Sequence, residues 1–337
     1  MSKRGSRLAA VGAIGALALG IVACGDDEGG GTSGSSGGDS GDKVVVGLIT
    51  KTESNPFFVK MKEAAQQAAG ANNAELTTAA GKTDTDVQTQ ITAMENMVTR
   101  GAKGILITPS QSKAIVPAME KARAAGVTVI ALDTPPEPED AADALFATDN
   151  EKAGELIGAW AKAKFEKDGK EAKVVTIDLA PGVSVGILRH NGFLKGFGIT
   201  DKEVLGHADA EGNQAKAQGA MENLLQKVPD VNLVYTINEP SAFGAYQALK
   251  AAGKEKGVTI VSVDGGCEAI EKGIKTGQIS ATSQQYPQNM AKLGVEAIAK
   301  GEKPSGYTDT GVTLITDEPQ DGVESKDSAY GTENCWG

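Results

Sequence analysis

At 337 residues and 40% hydrophobic content, the chain is long enough for two lobes, each around its own apolar core. Its formal net charge of −11 argues against a nucleic-acid partner, which needs basic patches, and against a polyanionic substrate. Two histidines, His190 and His207, are too few for a His-rich metal centre, so no metal is expected.

The N-terminus reads as a targeting segment. Lys3, Arg4 and Arg7 precede an apolar run, Leu8–Ala23, shorter than the ~20 residues of a comfortable membrane span. That is the pattern of a secretory signal over residues 1–23. Its end, "IVAC", resembles a bacterial lipobox, which implies cleavage before Cys24 and lipid on Cys24; the alternative is an ordinary signal with an incidental cysteine. Residues 24–42 are Gly, Ser and acid after the cysteine, a flexible tether spanning roughly 20–25 Å. A protein sent outside the cytoplasm with two further cysteines, Cys267 and Cys335, is expected to bridge them; two separate buried thiols are the alternative.

From residue 43 short apolar runs alternate with helical segments. "KVVVGLIT" is a buried strand, and a helix follows from Pro56 with Asn55 as its N-cap. "AELTT" is a strand; 86–100 is a helix with Val87, Ile91, Met94 and Val98 on one face. "KGILITP", a helix over 114–125, "GVTVIALD" and the short strand "ALFAT" complete the first half. The pattern then restarts: helix 151–165, "KVVTIDLA", helix 184–197, "EVLGHAD", helix 214–227, "VNLVYTIN", helix 241–252, "GVTIVSVDG", "QISATSQQ", helix 287–300 and a terminal strand "GVTLIT". This βαβα alternation predicts parallel sheets flanked by helices, in two similar halves. Polar residues collect at the strand carboxyl ends: Lys51 with Asn55, Asp133, Asn238 with Glu239, Asp264, and Gln284 with Gln285. In open α/β sheets ligands bind at that edge.

"LITKTESNPFFVKMKEA", "VIALDTP", "FATDN", "LRHNGF", "YTINEPSAFGAYQAL", "IVSVDGG" and "ATSQQYPQ" occur in this order. Together they resemble the extracytoplasmic sugar-binding proteins of ABC importers, the class with ribose-, galactose- and fructose-binding members; "KTESNPFF", "INEP", "DGGC" and the closing "GTENCWG" look most like the fructose binders. The resemblance implies an α/β fold of the periplasmic binding protein type I class: two Rossmann-like lobes with parallel sheets joined by a three-crossing hinge. One lobe would be 43–148 plus 286–314, the other 149–285 plus 315–337, with crossings near 147–149, 284–286 and 314–316. It implies a monosaccharide ligand, fructose first, an ABC permease as partner, a lipid-anchored monomer at the outer face of the membrane, no cofactor and no enzymatic step. Carried over by motif, the ligand residues are Lys51, Asn55, Phe57, Phe58, Asp133, Arg189, Asn238, Asp264 and Gln285. Ribose binders have an aromatic near 211–213; this chain has Glu211, Gly212 and Asn213, and Asn213 joins the set as a polar replacement.

The residue types suit a sugar. Carboxylates accept hydroxyl protons, Lys51 and Arg189 donate, and Asn55, Asn238 and Gln285 do both. Phe57 and Phe58 would stack on the apolar C–H face. Each also has a plainer role: turn residue for Asp133 and Asp264, helix cap for Asn213 and Asn238, solvated charge for Arg189 and Lys51, core and staple for the two Phe. Three other functions compete. "GVSVG" at 182–186 matches G-x-S-x-G, but the strand before it ends too early for Ser184 to sit on a nucleophile elbow. A receptor that presents its ligand to a signalling partner would use the same capture and closure. A sugar-responsive repressor would need a helix-turn-helix where the signal and tether stand.

Overall fold

The computed structural model describes residues 43–337. The signal segment 1–23, Cys24 and the tether over 24–42 lie outside the described residues. In chain order the elements are β1 (Val44–Thr50), α1 (Pro56–Ala71), β2 (Ala74–Ala80), α2 (Val87–Thr99), β3 (Gly104–Ile107), α3 (Val116–Ala124), β4 (Thr128–Leu132) and β5 (Ala144–Ala147). Then come α4 (Asn150–Asp168), β6 (Val174–Asp178), α5 (Ser184–Phe197), β7 (Gly206–Asp209), α6 (Gln214–Lys227), β8 (Leu233–Thr236), α7 (Glu239–Ala251), β9 (Thr259–Asp264) and β10 (Ala281–Gln285). The last are α8 (Pro287–Ala299), β11 (Gly306–Asp309), β12 (Val312–Ile315) and α9 (Ser328–Asn334).

These elements form two six-stranded sheets, ordered β11-β5-β4-β3-β1-β2 and β12-β10-β9-β8-β6-β7. Each sheet is covered on both faces. In the first lobe Leu48, Leu106 and Ile130 point to the α1/α8 side, and Ile49, Ile105 and Ile107 to the α2/α3 side. In the second, Val175, Ile177 and Val234 pack toward α6 and α7, and Val174, Leu233 and Tyr235 toward α4 and α5. Such two-sided burial is why the strands read as continuous apolar runs. The chain order reverses between β2-β1 and β3 in one sheet and between β7-β6 and β8 in the other, the switch points beside which open α/β sheets bind ligands.

Three chain segments join the lobes: β5 to α4, β10 to α8, and Thr310–Gly311 between β11 and β12. They touch one another. Thr310 N donates to Ala147 O (3.0 Å), Thr148 Oγ1 to Gly311 O (3.1 Å), and Tyr286 Oη lies 2.9 Å from Thr313 Oγ1. The third crossing thus lies earlier than the expected 314–316, because Val312–Ile315 already pairs with β10 in the second sheet. That pairing is antiparallel, the one exception among the described strand pairs in sheets that are otherwise parallel, as expected. β11 escaped the sequence reading because its "GYTD" is mostly exposed and carries no apolar run.

α4 and α5 pack through glycine. A Cβ on Gly154 or Gly158 of α4 would strike the carbonyl oxygens of Arg189 or Phe193; one on Gly192 or Gly196 of α5 would strike those of Glu151 or Glu155. Glycine at these four positions lets the two backbones touch. A disulfide, Cys267–Cys335, ties the segment after β9 to the tail after α9 across a sequence separation of 68. A loop of that length stabilises by roughly 4 kcal/mol in the chain-entropy limit.

Both histidines serve one cluster at the carboxyl ends of β6 and β7. His190 Nδ1 lies 3.0 Å and His207 Nδ1 3.1 Å from Asp178 Oδ2; their Nε2 atoms face Asp201 and Asp209. The Tyr235 ring packs edge-on against His190. Burial opposes the charge on His190, but Asp178 and Asp201 outweigh it and lift its pKa to about 9. Raised from 6.5, this group contributes stability that is complete below pH 6.5 and lost as pH rises through about 9. Burial opposes the charge on Asp178 too, but His190 and His207 outweigh it and hold its pKa low, so Asp178 contributes stability that is lost in acid. His190→Gln is therefore expected to flatten the fall in urea midpoint between pH 6.5 and 9 relative to wild type. Equal slopes in the two proteins would refute the assignment.

Candidate functional site

The site forms where the strand carboxyl ends of the two lobes face each other. Asn55 Oδ1 accepts from Phe57 N (3.0 Å) and, with Pro56 in the first turn, fixes the start of α1. Asp133, just after β4, and Asp264, at the end of β9, are held at φ of 59° and 132°. Such backbone costs on the order of 1–3 kcal/mol per residue and persists only where the surroundings enforce it. Here it aims both carboxylates at Arg189.

Arg189, on α5, is 4% exposed. Its Nε donates to Asn150 Oδ1 (2.7 Å) and its NH1 to Ile237 O (3.2 Å). NH1 also reaches Asp264 Oδ1 (3.3 Å), and NH2 reaches Asp133 Oδ1 of the other lobe (3.4 Å). Gln285 Nε2 donates to the same Asp264 oxygen at 2.6 Å. Lys51 is buried at the end of β1. Burial pulls its ammonium below the usual lysine range, while Asp84, Asp133 and Asp264 pull it back up. Burial raises the Asp84 carboxyl against the attraction of Lys51.

Asn238 caps α7, its Oδ1 accepting from Ser241 N (3.1 Å) and Ser241 Oγ (2.8 Å), and its Nδ2 donates to Gly212 O (3.4 Å). Next to it, Glu239 accepts from Gly265 N (2.6 Å), Gly266 N (3.0 Å) and Thr282 Oγ1 (2.8 Å). Burial, reinforced by Asp264, pushes Glu239 up to about 8; burial pushes Asp264 up to about 7 against the pull of Arg189. The lobes also meet away from this network. Ser112 N donates to Gly182 O (3.0 Å), and Ser184 Oγ donates to Pro135 O (2.7 Å) and accepts from Ser112 Oγ (2.8 Å). The serine of the G-x-S-x-G match is thus engaged in lobe contact, with neither histidine among those partners.

A cavity of about 480 Å³ borders the network, lined from both lobes by Asn55, Asp84, Asn213, Glu239, Asp264 and Trp336 among others. Of the ten residues expected to hold a ligand, Asn55, Asn213 and Asp264 line it. Lys51, Asp133, Arg189, Asn238 and Gln285 form the buried polar ground beside it. Phe57 and Phe58 sit elsewhere than expected. Both rings are buried in the first lobe's core, 5.3 Å apart and edge to face, and the cavity wall there is made by Asn55, Pro56 and Trp336. Both belong to the same apolar cluster as Leu48, Met61 and Trp336, and Phe57 packs against the Trp336 ring. Asn213 is exposed and caps α6, accepting from Lys216 N (3.1 Å).

Three site residues were not assigned from sequence. Asp84 follows β2, which runs to Ala80 rather than ending at Thr78, so its loop reaches the cleft. Glu239 was visible as a strand-end acid. Trp336 lies in the tail, where no periodic pattern announced it. The missing aromatic near residue 212 also has its reason: a Cβ on Gly212 would lie 2.7 Å from Asp84 Oδ2 and 2.8 Å from Asn238 Nδ2.

Residues 46–302 match the family described as periplasmic binding protein domain. This chain belongs to the periplasmic binding protein family. It is 34% identical over 263 residues to the ribose import binding protein of Bacillus subtilis, an alignment covering 77% of this chain and 82% of that one. It is 28% identical over 292 residues to the D-ribose/D-allose-binding protein of Pseudomonas aeruginosa, covering 82% and 89%. Among solved structures, the carbohydrate transporter solute binding protein of Agrobacterium radiobacter in complex with D-arabinose superposes with a TM-score of 0.75 at 26% identity, covering 82% of this chain and 96% of that one. The two-lobe α/β architecture of this periplasmic binding protein is that of its structural neighbours.

Proposed function

We propose that this protein captures a monosaccharide between its lobes and delivers it to the permease of an ABC importer. It would work as a monomer on the outer face of the membrane, held there by lipid on Cys24. Relatives named for ribose and allose support a sugar of that size, and fructose remains the first ligand suggested by the sequence motifs. The observation that carries the reading is a buried network of mixed donors and acceptors, contributed by both lobes, that leaves acceptors spare. Asp84 Oδ1 and Gln285 Oε1 are buried with no partner among the described residues. A buried acceptor without a donor costs ~1–3 kcal/mol, and a sugar hydroxyl relieves that cost. Lys51 and Arg189 would donate to ring or hydroxyl oxygens, and Asn55, Asn213 and Asn238 would bridge neighbouring hydroxyls. Periplasmic binding proteins are known for hinge closure around a ligand, and closure here would bring Asp133 and Arg189 together.

Thermal unfolding against ribose, allose, arabinose and fructose tests this. A sugar at 100 times its Kd is expected to stabilise the protein by ~2.7 kcal/mol. Asp264→Ala should remove that shift. If none of the four sugars raises the Tm of the wild type, the sugar reading fails.

A further inference from the structure

The tail after α9 belongs to the second lobe by its bonds and to the first by its packing. Cys335 is joined to Cys267, three residues after Asp264, and Cys267 N donates to Trp336 O (2.9 Å). The Trp336 side chain then crosses over. It is buried in the first lobe's core, edge to face with Phe57 at 5.4 Å. Its indole N–H donates to Gln285 O (2.8 Å), at the second hinge crossing, and a Cβ on Gly266 would lie 3.4 Å from its ring. Trp336 and Gly337 both line the cavity, alongside Asp264 and Asn55. The aromatic side chains on the cavity wall are Trp336 and Phe243, and of these Trp336 bridges the lobes.

We propose that the disulfide-held tail is part of the ligand site: Trp336 provides the apolar wall for the sugar's C–H face, and Cys267–Cys335 holds that ring in place. The proposal rests on the sugar-binding reading above. It assigns Phe57 and Phe58 the task of backing the indole rather than touching the ligand. It also accounts for a glycine at 212, since the aromatic wall comes from the end of the chain instead. A tail anchored to the residues after Asp264 moves with the carboxylate it flanks, so the stacking surface and the hydrogen-bonding surface stay in register. An indole wedged between Phe57 and Gln285 O makes its full set of contacts only when the lobes are together, which favours the closed form.

The test is titration calorimetry of the full chain with ribose, allose and fructose. For the sugar that binds, Trp336→Ala is expected to weaken affinity about tenfold or more, and Trp336→Phe to restore it to within about threefold. The Cys267→Ser/Cys335→Ser pair should weaken it about tenfold while the ring is still present. The chain's other tryptophan, Trp160, is fully buried in the second lobe. The sugar-dependent change in emission should therefore vanish in Trp336→Phe and survive in Trp160→Phe. This spectroscopic arm stands even where the alanine variant fails to fold. Folded Trp336→Ala binding within twofold of wild type, or an emission change that persists in Trp336→Phe, overturns the tail proposal alone. A wild type that binds none of the sugars overturns both it and the functional reading.

Discussion

Arg189→Ala is expected to abolish ligand capture and to cost about 3–5 kcal/mol of folding stability at pH 7. The guanidinium is buried and bonded to Asn150, the Ile237 carbonyl, Asp133 and Asp264. Its removal leaves two carboxylates in low dielectric without their cation. It also severs an ion pair between lobes, so the closed form loses more than the open one. Asp264, already raised to about 7, can escape by taking a proton. With Arg189 gone the Asp264 pKa rises further, so the penalty should shrink as pH falls from 7 to 5. Arg189→Lys keeps the charge but loses the fork that spans Asp133 and Asp264, and should fall between. Urea denaturation of the three proteins at both pH values decides it. A penalty below about 1 kcal/mol at pH 7 would show that the network is a solvated ornament of the cleft.

Gly192→Val is expected to cost roughly 3 kcal/mol, at the upper end for overpacking. The branched side chain would be driven into the Glu151 carbonyl, which is main chain of α4 and has no rotamer to yield. The helices must separate, and Arg189, one turn earlier on α5, would leave Asn150 behind. The substitution thus predicts a linked result: lost stability in thermal unfolding together with lost ligand affinity. Gly219, whose Cβ would meet open space, provides the control, since Gly219→Ala should be neutral or slightly stabilising. Equal effects at the two positions would show that the α4/α5 contact is not the constraint.

The layers of this fold were legible because its strands are buried on both faces. Val44–Thr50 and Thr259–Asp264 announce themselves by β-branched runs, and Asn55-Pro56 and Asn238-Glu239-Pro240 mark helix starts by cap chemistry. The strand-end rule then pointed to Lys51, Asp133, Asp264 and Gln285 without any view of the cleft. What it could not resolve is direction. A helix start carrying two Phe presents either ring to ligand or core according to how α1 is seated, and seating is tertiary. The same blindness hid Trp336, whose role depends on a disulfide that folds the tail back, and Asp84, whose loop is polar on any reading. The exposed β11 was missed, and β12 was read as a strand but not as an antiparallel one, because pairing at a sheet edge is set by tertiary placement and not by local pattern.

The two-residue link at Thr310–Gly311 has a kinetic meaning. Three Cα steps between Asp309 and Val312 span at most roughly 10 Å, so at this edge the lobes can pivot but cannot drift apart. Each wall of the cleft is consequently presented to the other at a fixed effective concentration, whatever the abundance of the protein. Closing is then a first-order event. Dilution governs how often a ligand is met, and the lobe-to-lobe step that follows proceeds at a rate written into the length of the connection.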